Sequence, residues 1–321
     1  MTMEQHSNIR ILFFGTSDFA VSMLEALVKN GCALAGVVTR PDEPAGRKHT
    51  LTPPPVKIAA VRLGIPILQP ERLEPDAHPH QMPTADIIVV AAYGKIIPRV
   101  MLGMPPHGAL NIHPSLLPRW RGPAPIQYAL LHGDAETGVT IMAMDEELDH
   151  GPIVASVKHP MLDKRYTYPT LHDILARIGA ELLIKTLPTW MAGDIIPVPQ
   201  DESQATFSKM LTREDGRIDW KKSAIDIERM VRAFHSWPST WTTWTLKGKS
   251  LRLRIAEADW TSDMPASSRP GLVWRDGARP LIVAAGCDSL VIKKIGAEGK
   301  YLTDAEAFVR GHANIIGAVL G

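Results

Sequence analysis

Cysteine is nearly absent from this 321-residue chain. Cys32 and Cys287 lie far apart and belong to no cluster with metal-ligand spacing, so a disulfide framework and a zinc finger are excluded, and a reducing compartment is expected. Long hydrophobic runs are missing too. The polar start "MTMEQHSNIR" leads into only "ILFF", too short for a signal or a membrane span, so a soluble cytoplasmic protein is expected. Internal repeats and low-complexity tracts are absent, which argues against a repeat architecture. "FFGTSDFA" holds Gly15 alone where a dinucleotide fold carries G-x-G-x-x-G, which argues against a nicotinamide or flavin dinucleotide.

What is present is enough apolar sequence, 45% of residues, for a full core in a chain long enough for two domains. The net charge of +1 conceals an asymmetry. Residues 1–205 hold 17 Lys and Arg against 21 Asp and Glu, and residues 206–321 hold 18 against 13. The second part also has six of the eight tryptophans. A basic, aromatic-rich domain suits a polyanion such as RNA; the same composition suits a β-rich core with a solvated basic face.

The first part alternates strand and helix signals. "IRILFFG", "ALAGVVTR", "IPIL", "ADIIVVAAYG" and "GALNIH" read as strands. Between them, "DFAVSMLEALVKNG" carries Phe19, Met23, Leu27 and Val28 on one helical stripe, and "PPVKIAAVRLG" opens on proline as a helix should. This alternation predicts an α/β domain with a doubly wound, mostly parallel sheet. "GVTIMAMD" and "PIVASVKHP" add strands, and a long helix within "PTLHDILARIGAELLIKTLPTWMAGD" closes the domain near residue 192. Residues 193–208 are polar and proline-containing, as a linker is. From 209 to 321 the rhythm is a helix in "SAIDIERMVRAF", two strands about a turn at Lys247–Lys249, three more short strands and a late helix, which predicts a smaller β-barrel.

Three places carry polar chemistry. In "ALNIHP" the strand period of two puts Asn111 and His113 on one face, at a carboxyl end where open α/β sheets place their sites. An amide donor and an imidazole converging there could hold an oxyanion; a hydrogen-bonded pair capping the strand has the same spacing. The prolines after them, in "PSLLPRWRGPAPIQ", make a stiff wall. In "MDEELDHGPIV", Asp145, Glu146, Glu147 and Asp149 crowd a turn. A solvated turn and a metal site are both conceivable, and only Asp149, near a glycine that permits close approach, is placed for chemistry. Residues 40–55 make a long connection carrying Arg47, Lys48 and His49 among prolines, suited to a phosphate backbone or to a mobile solvated insertion.

"NIHPSLLPRWRGPAPIQYAL" and "GDAETGVTIMAMDEELDHGPI" resemble the signature of the folate-dependent formyltransferases, and "VVTRPDEPAGR", "VVAAYGKIIP", "GRIDW" and "RAFHSWP" extend the likeness along essentially the whole chain. The resemblance implies transfer of a formyl group from 10-formyltetrahydrofolate, without a metal, to the α-amino group of methionine on initiator Met-tRNA. It implies a catalytic triad of Asn111, His113 and Asp149. It implies folate contacts from Ser115, Leu116, Leu117 and Pro118, with Val90, Tyr93 and Gly94 beside them. The tRNA would meet Arg40, Arg47, Lys48 and Lys209, and Lys247 and Lys249 on a C-terminal barrel of the oligonucleotide-binding type. No membrane or obligate protein partner is implied, and a monomer is expected. Two departures stand out: His150 replaces a small or polar residue, and "AFHSWP" lacks a proline of the usual pattern.

Overall fold

Every residue of Arg10–Gly15 after the first is buried, as a strand covered on both faces requires. In the computed structural model, which describes residues 9–46, 50–75, 81–161, 166–266 and 269–321, this run is β1. The chain continues through α1 (Asp18–Lys29), β2 (Ala33–Val38), β3 (Glu43–Ala45), β4 (Thr50–Thr52), α2 (Pro55–Leu63), β5 (Ile67–Leu68), β6 (Ile87–Ala91), α3 (Arg99–Leu102) and β7 (Ala109–His113). Next come α4 (Pro125–His132), β8 (Glu136–Ala143), β9 (Ile153–Pro160) and α5 (Tyr168–Met191). The seven-stranded sheet runs β5-β2-β1-β6-β7-β8-β9, parallel as far as β7 and antiparallel from β7 to β9. Parallel strands need crossovers, and α1, α2 and α3 lie in those crossovers.

Leu12, Phe14, Ile88, Val90 and Ala109 share one buried cluster with Met101 and Leu102 of α3. Their neighbours Ile11, Phe13, Ile87 and Val89 are equally buried on the other face. On α1 the buried residues are Phe19, Ala20, Met23, Leu24 and Leu27, while Val28 is half-buried. Pro55 opens α2, and Gly64, at φ 68°, ends it in the left-handed conformation that stops a helix. The long connection at residues 40–55 holds the β3–β4 pair. Arg47, Lys48 and His49 at its tip lie outside the described residues.

The described residues form two compact units. The first takes those up to Pro125, Glu136–Pro160 and His172–Lys209; the second takes Ile126–Ala135, those of Met161–Leu171, and those of Met210–Gly321. The expected linker, 193–208, is not free of the first unit. Val198 exchanges two backbone bonds of 2.8 Å with Ile153, and Thr206 and Ser208 pair with Arg121. A run of polar residues is satisfied as well by such bonds as by water, so composition does not separate the two cases.

The second unit contains α6 (Ala224–Ala233), β10 (Thr240–Leu246), β11 (Lys249–Thr261), β12 (Val273–Trp274), β13 (Ile282–Ala284), β14 (Ser289–Ala297), β15 (Thr303–Asp304) and α7 (Ala305–Gly311). The sheet order is β10-β11-β14-β13-β12, antiparallel throughout, with β15 on β14. Residues 317–321 join its two ends. Gly321 and Thr243 exchange backbone bonds of 2.7 and 3.0 Å, while Val273 bonds to Gly317 and Ala318 at 2.8 Å. Both edges are thereby paired, and the sheet is closed. Trp220 and Trp244 lie in its core and Trp241 is buried, so part of the aromatic wealth is packing; Trp237 and Trp260 are exposed.

Candidate active site

Asn111 pairs in register with Val90 of β6 and Met142 of β8, and His113 with Thr140. Paired residues of neighbouring strands point to the same side, so the Asn111–His113 face is the Val90 face, near the carboxyl end of β7. Leu110 and Ile112 take the opposite face, where a side chain at Gly179 of α5 would touch Ile112.

The proline-rich segment is held at several points. Thr140 Oγ1 accepts from Leu117 N at 3.1 Å and donates to the Ser115 carbonyl at 2.7 Å. Ser115 Oγ donates to the Arg119 carbonyl at 2.6 Å, and Trp120 N donates to Thr206 Oγ1 at 2.9 Å. The Leu117–Pro118 peptide is cis. The Trp120 carbonyl lies 3.0 Å from His113 Nε2. A carbonyl only accepts, so Nε2 carries the hydrogen and Nδ1 faces the other way.

That other side is Asp149. Its Oδ2 lies 3.6 Å from His113 Nδ1 and accepts from Gly122 N at 2.7 Å, while Oδ1 accepts from Asn111 Nδ2 at 3.3 Å. The His113 and Asp149 side chains are 6% and 10% exposed. Asp149 adopts φ 51°, a left-handed conformation that costs a non-glycine residue roughly 1–2 kcal/mol. Gly151 follows because a Cβ there would strike the Ala143 carbonyl. The other turn carboxylates go elsewhere: Glu146 pairs with Arg99 at 2.6 Å, and Asp145 with His150 at 2.6 Å. That contact, first of all, raises the His150 pKa above the usual imidazole range. Among the described residues no group of three or more His, Cys, Asp or Glu is placed to hold a metal ion.

Val90, Leu117 and Tyr93 are buried, and Ser115 is 1% exposed. Leu116 and Pro118 are half-buried. Tyr93 follows β6, its ring set edge-on to Phe14 at 5.2 Å, and Thr16 Oγ1 bonds to its carbonyl at 2.8 Å. Its buried hydroxyl has no hydrogen-bond partner. Burial pushes the Tyr93 pKa up to about 12, against a smaller opposing effect of the Arg40 charge. Gly94, at φ 78°, makes the turn that follows. A buried hydroxyl without a partner, among buried apolar side chains, suits a ligand that brings a polar group.

Arg40 follows β2 and bonds to Glu43 at 2.6 Å, with its Nε unpartnered; Arg47 and Lys48 lie outside the described residues. Lys209 is exposed at the end of the first unit. Lys247 and Lys249 are exposed at the β10–β11 turn of the second, where Lys247 and Gly248 both have positive φ. Trp120, Gly122, Thr140, Arg121 and Gln200 also contribute to the site, although sequence reasoning did not single them out. Their roles depend on backbone groups and distant contacts, which leave no spacing signal.

The formyl transferase family model matches residues 7–187, and the model of the formyl transferase C-terminal domain matches residues 210–313. A methionyl-tRNA formyltransferase from Chloroflexus aggregans is 46% identical over 309 residues, covering 94% of this chain and 97% of the relative. One from Myxococcus xanthus is 43% identical, covering 95% and 96%. Among solved structures, the sugar 3N-formyl transferase WlaRD has a TM-score of 0.62 at 17% identity, covering 91% of this chain and 99% of that one. HypX from Aquifex aeolicus in complex with tetrahydrofolic acid has a TM-score of 0.62 at 19% identity over 94% of this chain, which spans about half of HypX, 47%. The two structural likenesses establish the fold. Both halves of the chain match formyl transferase models and its sequence relatives are alike over nearly their full length, so the chain belongs to the methionyl-tRNA formyltransferase family.

Proposed function

We propose that this chain transfers a formyl group from 10-formyltetrahydrofolate to the α-amino group of methionine on initiator Met-tRNA, with Asn111, His113 and Asp149 as its catalytic residues. The observation that carries the reading is the convergence of an amide, an imidazole and a carboxylate in one nearly buried cluster. The folate donor is held at Ser115–Pro118 with Val90, Tyr93 and Gly94. The buried apolar side chains and the unpartnered Tyr93 hydroxyl support that assignment.

Bound there, the donor supplies a formyl carbon: the amine nitrogen bonds to it as its bond to the folate nitrogen breaks, and one proton passes from amine to folate. Asn111 Nδ2 has two hydrogens. One points to Asp149, and the other serves the oxygen on which charge develops. His113 and Asp149 hold the proton between its departure from the amine and its arrival at the folate nitrogen. The neutral imidazole, with its hydrogen on Nε2, has a free electron pair on Nδ1 toward Asp149. Once protonated, it is neutralised by that carboxylate.

Residues 1–192 form the catalytic domain in this reading, 193–208 the connection, and 209–321 a tRNA-binding barrel. Arg40, Arg47, Lys48, Lys209, Lys247 and Lys249 meet phosphates. The enzyme works in the cytoplasm as a monomer; the exposed, unpaired Cys287 suits a reducing compartment. An assay of formyl transfer to Met-tRNA, free methionine and amino-sugar nucleotides tests the reading. Transfer to Met-tRNA is expected, and a preference for either other acceptor would overturn it.

A further inference from the structure

Asp149 is gripped through its main chain as well as its side chain, by a residue of the 193–208 stretch that belongs to the first unit. Gln200 Nε2 donates to the carbonyls of Asp149 at 2.9 Å and Gly151 at 2.8 Å. Its Oε1 accepts from Arg121 Nε at 3.0 Å and Nη2 at 2.9 Å. Both partners of the nitrogen are acceptors and both partners of the oxygen are donors, so the network admits one orientation of the amide. The Arg121 side chain is 3% exposed and completes its bonds on Glu202, with Nη1 to Oε2 at 3.0 Å and Nη2 to Oε1 at 2.5 Å. The two Val198–Ile153 bonds fix the register that brings Gln200 to this place. Residue 122, next to Arg121, donates its N–H to the Asp149 carboxylate.

We propose that Gln200 is a positioning residue for the transfer: it holds Asp149 in its left-handed conformation, with its carboxylate against Asn111 and His113, and Arg121 and Glu202 orient Gln200. The proposal rests on the catalytic reading of Asp149. Both hydrogens of one amide clamp the carbonyls on either side of the Asp149–Gly151 bend. That is the place where a strained backbone, left alone, would relax toward a common conformation and swing the carboxylate away. A residue concerned only with docking the connection would have no need to bond there. The 193–208 stretch is thereby part of the catalytic apparatus.

The test is a double-mutant cycle in the full-length enzyme, with kcat and KM measured for both substrates. Gln200→Ala is expected to lower kcat about ten- to a hundredfold, as a misplaced catalytic group does, with both KM values within about threefold. Because Gln200 acts through Asp149, adding Gln200→Ala to Asp149→Asn is expected to cost nothing further beyond about twofold. Multiplying losses, or a Gln200→Ala enzyme with wild-type kcat beside a crippled Asp149→Asn, would overturn the proposal and leave the catalytic reading standing. Wild-type kcat in Asp149→Asn would sink that reading and the proposal with it. Should Gln200→Ala fail to fold, Gln200→Glu decides. It keeps the size and the Arg121 contact but cannot donate to either carbonyl, so the same loss is expected and normal kcat overturns the proposal.

Discussion

Asn111 shows how much one side chain is asked to do. Among the described residues its amide hydrogen-bonds to Asp149 alone, at 3.3 Å, so removing it leaves the fold's other hydrogen bonds in place. Asn111→Ala is expected to lower turnover by on the order of 3 kcal/mol of transition-state stabilisation, with donor affinity nearly intact. Steady-state kinetics beside a donor-binding titration checks this, and near-normal turnover would remove Asn111 from the mechanism. His150 makes a prediction in pH. Asp145 first of all, and the charges of Glu147 and Glu202 to a lesser degree, raise its pKa. A raised folded value means that stability is present below the unfolded value of about 6.5 and lost as pH rises through the folded one. The difference in thermal midpoint between the wild type and His150→Ala should therefore be largest below about pH 6.5 and shrink as pH rises above it, and a gap that widens contradicts the assignment. The two cysteines differ in burial. Cys32 is buried, which pushes its thiol up to about 11, while Cys287 is exposed. An alkylating reagent should label Cys287 in the native protein and Cys32 only after unfolding, as mass spectrometry would show.

Elements set what residues can reach. The bend between β8 and β9 brings Gly151 so close to the Ala143 carbonyl that no side chain fits. Gly151→Ala is expected to cost about 1–3 kcal/mol of stability, and to reduce turnover further because the same bend carries Asp149. Chemical denaturation and kinetics together test this; a variant with full activity would show that the bend tolerates displacement. The β10–β11 turn was legible in advance because Lys247–Gly248–Lys249 interrupts two apolar-patterned runs, and positive φ at both central residues matches the twist of a hairpin. The β3–β4 hairpin was not legible. Its strands are three residues long and pair only with each other, too short for a period of two to register.

Over the whole molecule, closure of the second unit rests on its last residues. Removing residues 317–321 strips backbone partners from Thr243, Gly271 and Val273, and takes away Leu320, which is 3% exposed. The loss should exceed the roughly 2–5 kcal/mol of a truncated core leucine and lower the thermal midpoint of that unit. Calorimetry reads it directly, and an unchanged midpoint would mean the barrel holds without its seam. Charge acts at the same scale. With Lys247 and Lys249 neutralising phosphates, reversing each to Glu in the full chain should make the log–log salt dependence of Met-tRNA affinity shallower by about 0.7–0.9. An unchanged slope would place the RNA elsewhere.

The strands of the seven-stranded sheet, with α1, α2 and α5, were written in the sequence, because buried strands are apolar runs and these helices carry apolar stripes bounded by glycine or proline; α3, α4 and the β3–β4 pair were not. Asn111 and His113 were legible as a pair for a similarly local reason: the period of two puts them on one face. Tertiary structure alone decided that Asp149, 38 residues away, meets both, because only packing of β8 against β7 returns the chain to that point. It also decided that Gln200, in a stretch whose composition reads as a linker, bonds to the bend that carries Asp149. The fate of the tryptophans belongs here too, since a barrel core and a base-stacking surface ask for the same residue type. Local patterns record the conformation of neighbouring residues; contacts between distant residues depend on where the whole chain folds back, and no short window of sequence contains that.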